Sequence, residues 1–292
     1  MKYKTTEQHK GYLCILMAAT MWGFIGPLGK MAYAQGVTPL EVAFWRALLA
    51  WFCFGTEVLI RHKAVKVSRT DLLPLALFSV LCVALFYGSY QVAVEQGGAA
   101  LSSVLLYTAP AWVILLSRVF LHEKVTTDKL MALSLTICGV TLIAVSQSNT
   151  IPDAGGGVMA LGIATGLFSG FCYSLYYILG KFFSAKYSAG VLFFYTLLPG
   201  ALLLLPWFSF AEKNAWAWLS LASLAMISTY GAYHFYYAGL KYIEAGRASI
   251  VATLEPVVAG LTAWYWWGEF FTPTGYVGAV LIIGAVILVV RK

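Results

Sequence analysis

Long apolar runs alternate with short polar punctuation along the whole chain, and the pattern repeats ten times. The runs cover 11–33, 38–60, 72–94, 99–121, 127–147, 157–180, 188–209, 215–240, 247–268 and 272–290. Each is close to the roughly 20 residues that a helix needs to cross a bilayer. The punctuation reads as helix ends: Val37-Thr38-Pro39 opens the second run, Thr70-Asp71 caps the third, and Thr272-Pro273-Thr274 opens the last. Ser148 to Gly157 is the longest neutral linker, and no loop has the length of an extramembrane domain. The expectation is an all-α integral membrane protein with ten transmembrane helices.

Composition sharpens this. The 292 residues are 61% hydrophobic and 11% charged, whereas a soluble domain carries about 25% charged residues. Lipid must be the solvent for so much apolar surface. The first run mimics a signal peptide, with Ala32-Tyr33-Ala34 as an apparent cleavage site. It is too long for one, is interrupted by Gly26-Pro27, and reads as a retained first helix. Cys14, Cys53, Cys82, Cys138 and Cys172 all fall in apolar runs without a CxxC pair, as small packing residues do.

The net charge of +7 reads as a topology signal, not as a nucleic-acid surface. With the N-terminus inside, 16 of the 19 Lys and Arg residues fall on the inner side, only Lys30 and Lys213 fall outside, and Arg46 lies within the second helix. Both termini are therefore expected in the cytoplasm.

The halves of the chain echo each other. An offset of 146 puts Tyr87 on Tyr233, Tyr90 on Tyr236, Ala99 on Ala245, Ser103 on Ser249, Pro110 on Pro256 and Glu123 on Glu269. An offset of 151 puts Trp22-Gly23 on Tyr173-Ser174 and Gly29-Lys30 on Gly180-Lys181, and 150 puts Phe44 on Phe194. Residues 1–150 and 151–292 thus read as two five-helix copies. Five is odd, so the second copy is inverted, an arrangement that in transporters places a substrate site near the midplane between the repeats.

The order and spacing of Trp22-Gly23, Gly29-Lys30, Phe44-Trp45-Arg46, Pro110 with Glu123, and Leu254-Glu255-Pro256 with Glu269 resemble the drug/metabolite transporter superfamily in its EamA branch. The resemblance covers essentially the whole chain. It implies a ten-helix carrier of the bacterial inner membrane, with a central cavity lined mainly by helices 1, 3, 4, 6, 8 and 9. Family substrates include amino acids, related metabolites and amphipathic cations, and many members export them.

Glu255 is the most informative single residue. A central membrane carboxylate costs about 2.5–3.5 kcal/mol on insertion scales, so it faces protein or water. It can bind a cationic group or exchange a proton, or simply take a structural hydrogen bond. Its repeat counterpart is Ala109, so the acid is not needed by the fold twice. Arg46, whose counterpart is Thr196, is the other intramembrane charge. It can pair with Glu255, Glu41 or a helix end, or hold a substrate carboxylate, and the structural ion pair is the favoured reading.

Aromatic residues supply the remaining candidate substrate contacts. Tyr230, Tyr233, His234 and Tyr237 mark one face of the eighth helix. Tyr87, Tyr90 and Gln91 are their counterparts in the third, with Tyr107 in the fourth, Tyr176 and Tyr177 in the sixth, and Trp22 in the first. Such a wall suits an amphipathic or ammonium-bearing ligand, although membrane tyrosines also pack at interfaces. His234 can titrate near neutrality, but a hydrogen-bonded packing role is the simpler reading.

No metal-ligand spacing, nucleophile–base motif or Walker A sequence occurs, which argues against an enzyme or ATP-driven pump and calls for no cofactor. The expected partners are a small-molecule substrate, the lipid bilayer and, as a coupling ion, protons, with no nucleic acid. Monomer and homodimer both stay open. The sequence reads as a secondary transporter of amino acids or related amphipathic metabolites, in the export direction. An uncoupled facilitator and a carrier of choline-like cations are the alternatives.

Overall fold

The computed structural model describes residues 5–61, 66–147 and 156–291. Most of the 148–157 linker, and Lys2, Lys4, Lys63 and Lys292, lie outside the described residues. The elements are α1 (Thr5–Gly23), α2 (Ile25–Tyr33), α3 (Pro39–Ile60), α4 (Arg69–Phe78), α5 (Phe86–Leu106), α6 (Ala109–Phe120), α7 (Thr127–Gln147), α8 (Gly156–Ser184), α9 (Ala189–Leu202), α10 (Ala215–Ser223), α11 (Ala232–Leu240), α12 (Ala245–Ala252), α13 (Glu255–Trp267) and α14 (Pro273–Val290).

These fourteen helices form ten crossings. The first is α1 with α2. The third joins α4 through a π-helical stretch, Ser79–Leu85, to α5 as far as Gly98, where a positive φ of 79° lets the chain reverse. The fourth is the rest of α5 with α6, the eighth α10 and α11 around Leu224–Gly231, and the ninth α12 with α13. Among the described residues nine helices are long and apolar enough to cross a membrane. The eighth crossing, 215–240, is helical throughout but is not among them, because its serines and tyrosines dilute its apolar character. Leu59, Leu73, Phe120, Val277 and Val280 stand on outer surfaces that lipid solvates.

The inverted repeat is visible in local structure. The π-helical stretches Ser79–Leu85 and Leu224–Gly231 sit at the same place in the two copies. Thr38 caps Glu41 N at 3.3 Å, and its counterpart Ser188 caps Val191 N at 3.4 Å. His122 (φ 55°) and Gly268 (φ 65°), 146 residues apart, both end a helix in the left-handed region. The packing obeys the same exchange. α1 packs on α11 and α13, while α8 packs on α5 and α6; α3 meets α9, and α7 meets α14, across the pseudo-twofold axis.

Pro110 and Pro256 do more than kink their crossings. The helix tightens before each, so α6 begins at Ala109 and α13 at Glu255. Proline has no N–H and clashes with the preceding turn. Thr108 and Thr253 donate their hydroxyls to Leu105 O and Ile250 O, each at 2.6 Å, bonding carbonyls at the breaks. Glu255 is thereby the first residue of a half-helix.

Lipid is as apolar as leucine, so membrane helices hold together through close packing. A Cβ on Gly139 of α7 would meet Gly278 O of α14 at 2.7 Å. Gly139→Leu is expected to cost about 1–3 kcal/mol by overpacking, measured as a lower Tm in detergent. Gly166 and Gly170 form a GxxxG pair that packs on Leu105, within the chain.

Candidate functional site

The crossings surround a cavity of about 360 Å³ at the depth of the two helix breaks. Its wall is built from repeat-equivalent aromatics: Trp22 and Tyr173, Tyr87 and Tyr233, Tyr90 and Tyr236. Phe86 stacks on Tyr173 with centroids 5.2 Å apart, and Trp22 lies 5.4 Å from Tyr236. Tyr176 and Tyr233 share a hydroxyl–hydroxyl bond of 3.0 Å. Val140, Ile143 and Ala144 of α7 provide an apolar patch.

Symmetric residues thus make the wall, and asymmetric ones carry the charge. Glu255 faces the cavity beside the Tyr107 hydroxyl, with Tyr90, Tyr173 and Tyr177 around it. Arg46 reaches in from α3. Its guanidinium donates to Tyr87 Oη at 2.6 Å, lies 5.4 Å from that ring, and also faces Tyr176 and Tyr233. Among the described residues neither charge forms an ion pair, although each feels the other's field.

The ion pair expected for Arg46 is therefore absent. Glu41, one of its expected partners, is engaged elsewhere: it pairs with Lys213 at 2.5 Å, accepts the Trp45 indole at 3.1 Å and accepts Ala211 N at 3.1 Å. Glu41 is fully buried, and the Lys213 ammonium lies near the rings of Trp45, Phe210 and Trp218.

Of the residues expected to bind substrate, Glu255, Trp22, Tyr87, Tyr90, Tyr107, Tyr176, Tyr177 and Tyr233 meet at the cavity. Gln91, Tyr230, His234 and Tyr237 lie elsewhere. Gln91 donates to Glu95 at 3.2 Å. Tyr230 and His234 turn toward α3, where Glu57 Oε2 stands 3.3 Å from Tyr230 Oη and 2.7 Å from His234 Nε2, with Arg61 on the other carboxylate oxygen. Tyr237 packs beside Phe193, centroids 5.4 Å apart, and its buried hydroxyl bonds no protein group among the described residues. Tyr237→Phe should leave transport unchanged and raise Tm, since it removes a buried hydroxyl without a protein partner among the described residues; Tyr107→Phe, at the cavity acid, should lower substrate affinity. Tyr236, Ser103 and the α7 patch from the fifth crossing line the cavity without having been singled out as substrate contacts; Tyr173 joins its helix neighbours Tyr176 and Tyr177 there, and Arg46 reaches it from the second crossing, where it can hold a substrate carboxylate.

One end of the protein is closed by bonds between the repeats. Glu123 accepts Ala245 N at 2.7 Å and Gly246 N at 3.1 Å, capping α12, with Lys129 at 3.7 Å. Lys129 also pairs with Glu244 at 2.9 Å, and Arg247 donates to Tyr12 Oη at 2.9 Å. Glu269 at the other end instead makes an exposed pair with Lys30. Trp264, Trp266 and Trp267 stand exposed near that end, as membrane-interface tryptophans do.

Comparison with known proteins agrees with this architecture. The chain is 30% identical over 285 residues to an uncharacterized transporter of Archaeoglobus fulgidus, covering 97% of each. It is 25% identical to the uncharacterized inner membrane transporter YicL of Salmonella typhimurium, covering 96% of this chain and 95% of that one. It is 28% identical over 224 residues to a probable terminal-alkyne amino-acid exporter of Streptantibioticus cattleyicolor, covering 73% and 72%. A solved crystal structure superposes with a TM-score of 0.84 at 14% identity, covering 95% of both chains, which shows the fold. The model of the EamA-like transporter family matches twice, over residues 9–145 and 160–291. The chain is a multi-pass membrane transporter, not an enzyme, and belongs to the EamA-like transporter family.

Proposed function

We propose that this transporter is a secondary carrier that exports amino acids or related small amphipathic metabolites by alternating access. The observation that carries the reading is the cavity between the two inverted repeats, with its aromatic wall and lone carboxylate. About 360 Å³ lies in the range of small-ligand sites, about 300–1,000 Å³. The amino-acid exporter among the relatives supports the substrate class and the direction.

The repeat supports a specific form of alternation. Glu123 caps α12 at the closed end. Its counterpart Glu269 has equivalent backbone donors at Ala99 and Ala100, just past the reversal at Gly98. In the opposite state Glu269 caps that helix start and Glu123 lets go. Rocking of inverted repeats about a fixed midplane site follows this logic. Residues 1–150 and 151–292 are the two rocking units, with both termini in the cytoplasm of a bacterial cell by the Lys and Arg count.

Glu255 is the candidate proton site, since among the described residues it alone places a carboxylate against the cavity. Purified protein screened by thermal shift against amino acids, choline-like amines and nucleobases tests the substrate class. Amino acids should raise Tm, by a stabilisation of about 2.7 kcal/mol at a hundred times Kd. Stabilisation by choline-like amines or nucleobases, with none from amino acids, would move the substrate class elsewhere.

A further inference from the structure

The cavity holds two opposite charges that do not meet. Glu255 opens α13 in the second repeat, and Arg46 extends from α3 in the first. Each is held by tyrosines on its own side: Tyr107 beside the carboxylate, and Tyr87 hydrogen-bonded to the guanidinium. Isolated charges at this depth are costly unless paired. A fold that only needed neutrality would let them pair, or would leave out each charge, as the counterpart positions do: Thr196 stands in the second repeat where the first has Arg46, and Ala109 in the first where the second has Glu255.

We infer that Arg46 and Glu255 form a two-pole clamp for a zwitterion, with the substrate carboxylate on Arg46 and its ammonium on Glu255. This rests on the reading of the central cavity as the substrate site, and it narrows that site's chemistry. Arg is suited to the carboxylate end because its planar fork matches two carboxylate oxygens. The acid end offers Tyr107, Tyr90 and Tyr173 as further partners or ring faces for an ammonium. The uncharged part of the substrate lies on the α7 patch of Val140, Ile143 and Ala144. A lone amine leaves Arg46 unanswered and faces its repulsion, while a lone acid does the same at Glu255. Rejection therefore comes from the buried group left unpaired, the stronger of the two routes to specificity.

Arg46 is accordingly a specificity-determining residue. The test is direct binding to the purified full chain in nanodiscs. The probes are the apolar and aromatic amino acids, each with its matched amine and its matched deaminated acid, such as phenylalanine, phenethylamine and 3-phenylpropionate. At least one amino acid should bind about tenfold or more tighter than both its partners, the loss expected for one charge-assisted bond. Arg46→Gln should bring that amino acid down to the affinity of its amine and leave the amine no weaker. Glu255→Gln should bring it down to the affinity of its acid. Arg46→Lys keeps the charge, folds with less perturbation, and should retain part of the preference. Equal affinity of an amino acid and its amine, with the amine still dependent on Glu255, would overturn the clamp and leave the cavity as the site. Binding by no amino acid would overturn the clamp, and the carrier reading would then be judged by vectorial transport alone.

Discussion

Glu255→Gln should leave a folded protein that no longer drives substrate uphill on a pH gradient. Among the described residues the carboxylate makes no ion pair, and Gln keeps its shape beside Tyr107, so the substitution breaks nothing the fold relies on. It does remove the single acid against the cavity. A charge-assisted bond to a substrate ammonium contributes about 1.5–3 kcal/mol, so affinity should fall roughly tenfold to 150-fold. In proteoliposomes the wild type should accumulate substrate when a pH gradient is imposed, and the variant should show no response to the gradient. The readouts separate two roles. Lost affinity with a retained pH response makes Glu255 a binding group only. Unchanged affinity and unchanged pH dependence would remove it from both.

The second large effect concerns the caps. Glu123→Ala removes two hydrogen bonds from a carboxylate to the start of α12 and the longer of the two ion pairs of Lys129, which keeps Glu244. At about 1.5 kcal/mol or more for each charge-assisted bond, this cost of about 3 kcal/mol shifts the equilibrium between the two states by roughly 150-fold. Glu269→Ala should do the reverse: in the state described here it loses only an exposed pair with Lys30, worth little, but it forfeits the opposite state. Spin labels at Lys124 and Lys241, both exposed at the closed end, report the outcome. Their separation should grow in Glu123→Ala and stay at the closed value in Glu269→Ala. Identical distance distributions in both variants would mean that the caps are static helix ends.

Much of this was legible in the residues. Ten apolar runs, the 146-residue echo and the Glu255/Ala109 asymmetry define the architecture and its one central acid, because lipid forces length and hydropathy on every span. The face of each helix was harder to read. Lipid-facing and cavity-facing positions are both apolar, so nothing in hydropathy marks Val140, Ile143 and Ala144 as cavity wall. The tyrosine stripe of the eighth crossing was drawn through Tyr230, Tyr233 and Tyr237. The π-helical stretch Leu224–Gly231 changes the number of residues per turn, so Tyr230 does not continue the line of Tyr233 and Tyr236. Gln91 and Tyr237 are the same position in the two repeats, one residue past the wall-forming Tyr90 and Tyr236. A symmetric sequence produced a symmetric misplacement. Arg46 was legible as a charge but not as an unpaired one, since the alternative partner of Glu41, Lys213, comes from the loop between the seventh and eighth crossings.

The most direct test of the account is substrate counterflow in proteoliposomes. Vesicles preloaded with an unlabelled amino acid that stabilises the protein are diluted into a trace of the same compound, labelled. A carrier with one site between two rocking repeats should take up label transiently above equilibrium, with saturable kinetics, and Arg46→Gln should abolish the overshoot at the same substrate concentration. Linear, unsaturable uptake that ignores preloading would contradict alternating access through this cavity.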